Sequence, residues 1–565
     1  MRQCSDVSSG VVSLLVSGVE SFQHFISARS TCALAALVVA VSGGFAPVCA
    51  QELGLVDAWR IGADDTDFGS RVVADAEGNI YVLGHFRDSI DVGRGTAASV
   101  LTSAGNSDGF LCKYSPSGNL LWGISLSGPD AIAGGGLAVD ENGNAYVIGL
   151  LSGTADFDPG PDAFMLTATE STQAFLWKLN SEGQLVWAQI IGQGVLGAAF
   201  DVVIDASDNI FVGGFFSGSG DFDAGANVQI LESQGPVDAF VCALDPTGGL
   251  QWAVSLGGED FDSAVALAAD GEGGVYVAGL FEATADFDPG DGEALLQSVG
   301  AKDVFVCRLN SSGSLSWAAS TGGVDEDEVV DLALVGNDVY VVGSLFETSD
   351  FDPGAGVSNL VSAGGRDGFV WKLSDSGEFR WGRSVGGLGS DRSFSVAASS
   401  SGAIIVAGMF QNSVDFDPGS NGFVGTSVGS TNSFLWKLDS DGSFLDADIL
   451  GGAGDVSVQN IYTDNDFVYV IGVFTDTVDV DPSSSQQYLT SSGGLDTFVA
   501  TFRQTDGPAA GGGEGEGEGE GEGGGCVLTS SSAEIRLADV LLVGLTLMAL
   551  FASGGAIGRR ERGDG

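Results

Sequence analysis

Histidine is almost missing from this chain: its 565 residues include only His24 and His85. His24 lies in a segment expected to be removed, so a zinc site built on several histidines is excluded and a Ser-His-Asp triad can rest on His85 alone. Cations are scarce too, with 21 Lys+Arg against 75 Asp+Glu and a formal net charge of -54. That balance excludes nucleic-acid binding through clustered basic side chains. No D-x-D-x-D-G calcium loop occurs. Between Gln51 and Gly507 no stretch carries the 3.6-residue apolar period of a helix. Glycine, by contrast, is abundant at 89 residues, and 44% of the chain is hydrophobic while only 17% is charged. Such a chain is too apolar to be a disordered acidic protein.

The two ends read as export and anchoring. Cys32–Val41 is an apolar run preceded by Arg29, and Pro47-Val48-Cys49-Ala50 places small residues where a signal peptidase reads. Residues 1–50 are therefore expected to be a signal peptide cleaved after Ala50, the alternative being an uncleaved anchor. At the other end, 508–535 is a Gly/Glu-rich linker that cannot bury anything. Residues 540–558 then lack any charge, and a transmembrane helix is expected over 536–558. Arg559, Arg560 and Arg562 follow in the tail 559–565, which the positive-inside rule places in the cytoplasm. The order tether, Cys526, apolar segment, Arg cluster resembles the C-terminal sorting tails of Gram-negative bacteria, including the MYXO-CTERM type. That resemblance implies processing near Cys526; the alternative is a plain anchor with an incidental cysteine.

Between the ends, residues 51–507 repeat. The glycine closing an apolar strand recurs at Gly84, Gly149, Gly214, Gly279, Gly343, Gly408 and Gly472, in steps of 64 or 65. An acidic marker keeps step at Asp91, Asp156, Asp221, Asp286, Asp350, Asp415 and Asp479. So does the tryptophan of L-x-W, at Trp122, Trp187, Trp252, Trp317 and Trp381, with Asp57 and Asp446 in the same register at the two ends. Three unlike markers stepping together define seven units. Each unit reads as four short strands rich in β-branched and aromatic residues, in the third unit 201–205, 209–216, 239–245 and 250–256. The last unit lacks its L-x-W strand, while an orphan strand at 53–61 precedes the first. The fold class expected is all-β: a seven-bladed β-propeller of four-stranded antiparallel blades closed by the N-terminal strand, plus the C-terminal transmembrane helix.

The G-N-x-Y-V-x-G strand, the AFLWKLN segment (174–180) and the GQLVWAQIIG close (183–192) resemble the seven-bladed β-propeller repeat (SBBP) family of bacterial secreted and surface proteins. The resemblance covers about residues 53–503 and implies the fold and an exported location, not an activity.

The motif with the most chemistry is D-F-D-P-G. It pairs the carboxylates of Asp156 and Asp158, of Asp286 and Asp288, of Asp350 and Asp352, and of Asp415 and Asp417. A D-F-D-A-G copy pairs Asp221 with Asp223, and decayed copies lie at Asp91 and at Asp479–Ser483. In extended chain, i and i+2 share a side, so each pair faces together and could hold a hard cation, calcium being the candidate cofactor. Asp67, Asp262, Asp327, Asp391 and Asp455 fall in register after the GG close as further ligands. The other reading is that these aspartates cap turns and the phenylalanine is core. The tryptophans read as packing between blades. Cys112, Cys242 and Cys307 share one repeat position, too far apart for disulfides. His85 reads as a surface or groove residue.

The function expected from these features is a non-enzymatic binding or adhesion scaffold at the cell surface or secreted, with calcium as a candidate aid to binding. Its partner would be a surface glycan or protein ligand, with no nucleic acid, and the membrane would be reached through the C-terminal helix. The alternatives are a glycan-active or quinoprotein-type propeller enzyme and a structural surface-coat protein.

Overall fold

The computed structural model describes residues 51–506 apart from 95–97, 127, 129–131, 400, 418–421 and 465. Each unit folds as a four-stranded antiparallel sheet. In the third unit the strands are Leu196–Ile204, Ile210–Ser217, Asp238–Leu244 and Leu250–Gly258, hydrogen-bonded in that order. The two middle strands are covered on both faces, so Ile210–Phe216 and Asp238–Leu244 are buried throughout. They read as continuous apolar runs for that reason, whereas the outer strand is only partly buried.

The inner strands lie side by side in one cycle. Asp67–Ala74 lies against Ile132–Val139, then follow Leu196–Ile204, Asp262–Ala269, Glu328–Val335, Arg392–Ala398 and Val456–Thr463, and the last returns to the first. The seventh sheet gains its outer strand from the other end of the chain: Gln51–Ile61 pairs antiparallel with Asp496–Asp506, from Gln51 opposite Asp506 to Ile61 opposite Thr497. Leu53 and Ala58 enter the core of the seventh sheet, while Trp59 and Ile61 join that of the first.

One irregularity recurs. Every inner strand carries a bulge, between Gly69/Arg71, Gly134/Gly136, Ala199/Asp201, Ala264/Ala266, Val329/Asp331, Ser393/Ser395 and Val458/Asn460. The residue opposite its first member is always the marker glycine, for example Gly84 opposite Gly69 and Gly343 opposite Val329. The extra residue pushes the inner strand's carbonyl toward its partner and leaves no room there for a side chain. A Cβ on Gly343 would overlap the Glu328 carbonyl oxygen.

The L-x-W tryptophans lock sheet to sheet. The indole of Trp317 donates 2.8 Å to the carbonyl of Asp375 in the next unit's turn, and Trp122, Trp252 and Trp381 do the same to Ser181, Ser311 and Ser440. Gly377, at φ +79, lies under the Trp317 ring, where a Cβ would sit 2.6 Å from the indole. The G-x-L-x-W spelling therefore records two adjacent units: Gly183, Gly248, Gly313 and Gly377 each receive the tryptophan of the unit before, while Gly118 meets Asp57 and Arg94.

Two expectations need correction. Six of the seven units have six strands, because a two-stranded ribbon, such as Ser219–Asp221 with Ile230–Glu232, is inserted between the second and third strands; in the fifth unit the ribbon is continuous with the two long strands Asp338–Asp350 and Asn359–Ser374. Three-residue strands are too short to show a period. The transmembrane helix expected over 536–558 is the second: the described residues form strands and turns with no helix, and none long and apolar enough to cross a membrane. That segment, the linker and the tail lie outside the described residues, as does 1–50. Its only ground was an apolar run, and the run holds Gly544, Gly554, Gly555 and Gly558, each costing a helix about 1 kcal/mol relative to Ala.

Candidate functional site

The ribbons form the most repeated surface feature of the ring. Their first strands end at the acidic markers, Asp91, Asp156, Asp221, Asp286, Asp350, Asp415 and Asp479. Their other strands open at Val100, Met165, Ile230, Leu295, Asn359, Val424 and Tyr488. Except for Asn359, these openers are large apolar side chains more than half exposed. The ribbons also join neighbouring sheets: Gly257 of the third unit's GG close pairs with Asp286 of the fourth, Gly322 with Asp350, and Gly451 with Asp479.

Within D-F-D-P-G the side chains alternate as extended chain requires. Phe157, Phe222, Phe287, Phe351 and Phe416 are buried, and the flanking aspartates face outward. The main-chain carbonyls of Phe157 and Phe416 accept the indole N–H of Trp177 and Trp436, at 2.9 and 3.0 Å. The carboxylates are committed to backbone. Asp156 Oδ1 accepts the N–H of Asp158 and of Phe164, and Asp158 Oδ1 accepts that of Gly160. In the third unit Asp221 accepts the N–H of Asp223 and Gln229, and Asp223 accepts that of Gly225. In the fourth, Asp286 accepts the N–H of Asp288 and Ala294, and Asp288 that of Gly290. In the fifth, Asp350 accepts the N–H of Asp352 and Ser358, and Asp352 that of Gly354. Asp415 accepts the N–H groups of Asp417 and Phe423. Each first aspartate thus ties both ends of the ribbon loop together.

The aspartates considered for calcium are placed as follows. Asp156, Asp158, Asp221, Asp223, Asp286, Asp288, Asp350, Asp352, Asp415 and Asp417 form no metal cluster: among the described residues no three His, Cys, Asp or Glu side chains are grouped to hold an ion. Calcium wants about six to eight oxygens. The second aspartates, Asp158, Asp223, Asp288 and Asp352, turn an oxygen to the glycine N–H two residues on, where it caps the Pro-Gly or Ala-Gly turn. As placed, each pair offers fewer oxygens than that ion takes. The melting midpoint of the protein is accordingly expected to differ by no more than about 1 °C between calcium and chelator, since only a ligand of the native state raises it. A concentration-dependent rise with calcium would contradict this.

The aspartates after the GG close do not join these pairs. Asp67, Asp262, Asp327 and Asp391 open inner strands, or immediately precede one, and are almost fully buried against the neighbouring sheet. Asp455 is one residue out of register: Val456, opposite Phe474, is the structural equivalent of Asp67, opposite Phe86. Ala50 and Cys526 lie outside the described residues.

A second set went unread in the sequence. The residues just after the seven bulges are Arg71, Gly136, Asp201, Ala266, Asp331, Ser395 and Asn460, unlike groups on the inner strands. They reach across to the next sheet. Asp201 accepts the N–H of Leu267 at 2.8 Å, Asp331 that of Val396 at 2.9 Å and the Ser395 hydroxyl at 2.7 Å, and Asn460 that of Val72 at 3.1 Å. Burial pushes Asp201 up to about 7, against the pull of Arg71. The signal that would have found them is their step, which matches the marker glycine, although their identities vary.

His85 stacks on Phe68 at 5.0 Å, and its buried Nε2 makes no hydrogen bond. Burial, then the charge of Arg87, pushes its pKa down to about 4, so it is neutral at pH 7. Cys112, Cys242 and Cys307 are free and buried.

Seven four-stranded sheets closed in a cycle define a β-propeller built of repeats. No family model matches the chain. It is 21% identical over 506 residues to "Uncharacterized WD repeat-containing protein L264" of Acanthamoeba polyphaga mimivirus, covering 75% of this chain and 36% of that protein. It is 28% identical over 181 residues to "Regulatory protein FlaEY" of Caulobacter vibrioides, covering 31% of this chain and 19% of that protein. The chain thus spans well under half the length of either relative. Among solved structures, the WD40 domain of Neurospora crassa Pan2 is similar at 8% identity with a TM-score of 0.37, covering 78% of this chain and 89% of that one.

Proposed function

We propose that this propeller is a non-enzymatic binding scaffold, exported through residues 1–50, that engages a protein ligand across its ring of ribbons. The observation that carries the reading is the outward-facing aliphatic residue repeated on the ribbons, at Val100, Met165, Ile230, Leu295 and Val424. Solvent-exposed apolar groups in repeat register are a multivalent contact surface. Aliphatic groups beside a strand edge suit a protein strand better than a sugar, which stacks on aromatics; Tyr488 is the one aromatic among the openers. The enzyme reading draws on the unlike inner set of Arg71, Asp201 and Asp331. Both of those carboxylates already bond the next sheet, which leaves them as clasps.

The test is binding of the purified chain to arrays of envelope proteins and of polysaccharides, beside the triple variant Ile230→Ser, Leu295→Ser, Val424→Ser. Each buried aliphatic contributes about 1.5–3 kcal/mol, so the triple variant is expected to lose at least tenfold in affinity for protein spots. Binding to polysaccharide that ignores these substitutions, or turnover of a sugar or alcohol, would contradict the proposal.

A further inference from the structure

The third strand of every sheet carries a polar residue in one register, six times at its start and in the fifth unit within a longer strand: Asp108, Gln173, Asp238, Asp303, Asp367, Asn432 and Asp496. None is more than 2% exposed. All seven accept the N–H four residues earlier, from Ala104, Thr169, Gln234, Val299, Ala363, Val428 and Ser492. At four junctions a second buried aspartate from the next sheet lies near enough for the two charges to repel: Asp262 with Asp238, Asp327 with Asp303, Asp391 with Asp367, and Asp67 with Asp496. The first glycine of the GG close leaves room for them. A Cβ on Gly257 would lie 2.5 Å from Asp262 Oδ2 and 3.1 Å from Asp238 Cγ.

Two carboxylates in so dry a place repel unless something positive joins them. At Asp67–Asp496 that is Arg60, which donates to Asp496 at 2.7 Å. The other three pairs share a different pattern. No cation among the described residues donates to them; three oxygens of each accept N–H or O–H donors, while Asp262 Oδ1, Asp303 Oδ1 and Asp367 Oδ1, like Asp67 Oδ1, Asp108 Oδ1 and Asp496 Oδ1, are buried with no partner. A proton on the orphan oxygen makes it a donor and removes the repulsion together. Gln173 and Asn432 show that a neutral group suits this register: the Gln173 amide donates 3.1 Å to the carbonyl of Gly192. At these two junctions the next sheet offers Gly197 and Val456 in place of a second acid.

We infer that the junctions Asp238–Asp262, Asp303–Asp327 and Asp367–Asp391 each hold one proton between two carboxyl groups, so that closure between these sheets weakens as pH rises. Other charged groups facing the pairs are Glu282 at Asp262 and Arg366 at Asp327, the latter also paired with Glu326 and Glu328. Burial first, and then the partner's charge, raises Asp262 to about 8, Asp303 to about 7 and Asp367 to about 6. Because the folded values lie above the ordinary 3.8, the native state holds protons that the unfolded chain has released. The stability they contribute is complete below that value and is lost as pH rises through about 6 to 8.

The full-length chain is expected to melt lower at pH 8.5 than at pH 5, by on the order of 5 °C. The triple variant Asp262→Asn, Asp303→Asn, Asp367→Asn is expected to match the wild type at pH 5 and to lose a measurable part of that drop, the rest belonging to Asp67 and Asp201, which burial also raises to about 7. A control, Glu170→Gln, Glu182→Gln, Glu293→Gln, removes as many charges from exposed positions and keeps the drop. An Asn variant that keeps the full drop would overturn the inference. Should that variant not fold, the infrared carbonyl band of protonated carboxyl groups in the wild type decides: present near pH 6 and gone by pH 9 supports the shared proton, absent at both refutes it.

Discussion

Removal of Gln51–Ile61 is expected to cost the ring its cooperative fold. This strand is the outer member of the seventh sheet and carries Leu53, Ala58, Trp59 and Ile61 into two cores. Burying the three large ones contributes about 1.5–3 kcal/mol each, a sum comparable with the whole net stability of a domain, about 5–15 kcal/mol. Its loss also unpairs the strand Asp496–Asp506 along one edge and removes the Arg60 partner of Asp496. The deleted chain should melt at least about 15 °C lower, or fail to accumulate in soluble form. Adding the peptide 51–61 in trans should recover part of the loss, because the vacated edge is the surface it fits. A deleted chain that melts like the wild type would mean that the ring is held by its other contacts.

Gly343→Val is the second change with a large expected effect. Its Cβ would meet the Glu328 carbonyl oxygen and the Val329 Cα, both backbone atoms fixed by the bulge. No rotamer change relieves a clash between main chain and Cβ, so the inner strand must move or the bulge must open. The expected cost is about 3 kcal/mol or more, read as a lower midpoint in urea. Gly54→Ala is the matched control, since nothing lies within 4 Å of the added carbon; it should be neutral within about 0.5 kcal/mol. Equal effects from the two substitutions would show that the marker glycine is not set by the bulge.

How much of this was legible in the sequence depends on which residues carried a periodic signal. The four main strands of each unit could be read because both middle strands are buried and apolar, and the orphan strand could be read because Asp57 keeps the tryptophan register, opposite Thr501. The marker glycine was visible while its cause was not, because a bulge is one additional residue with no preferred type. The alternation in D-F-D-P-G was readable, as was the turn-capping alternative. What spacing could not show is that Asp156 Oδ1 already holds two N–H groups, the farther one from Phe164. Nor could it show that Asp223, Asp288 and Asp352 each spend an oxygen on the glycine of their own turn. Asp67 and Asp262 were assigned to the ribbons because they share their period. A repeat gives the step between equivalent residues, not the direction in which a side chain points, and these point into the junction between sheets. The inner set from Arg71 to Asn460 escaped for the opposite reason: the position repeats and the residue type does not.

The central claim is that the two ends of the described chain pair in one sheet, and Gly54 opposite Arg503 gives the most direct measurement. Both are exposed, whereas the cysteines of the described residues are buried. Antiparallel partners stand about 4.5–5.5 Å apart at Cα, within the reach of a disulfide. Under mild oxidation Gly54→Cys with Arg503→Cys is expected to form an intramolecular bond, identified by mass spectrometry as one peptide linking the two positions. Free thiols at both positions, or bonds only between molecules, would show that the strands are not neighbours and that the ring is not closed in this way.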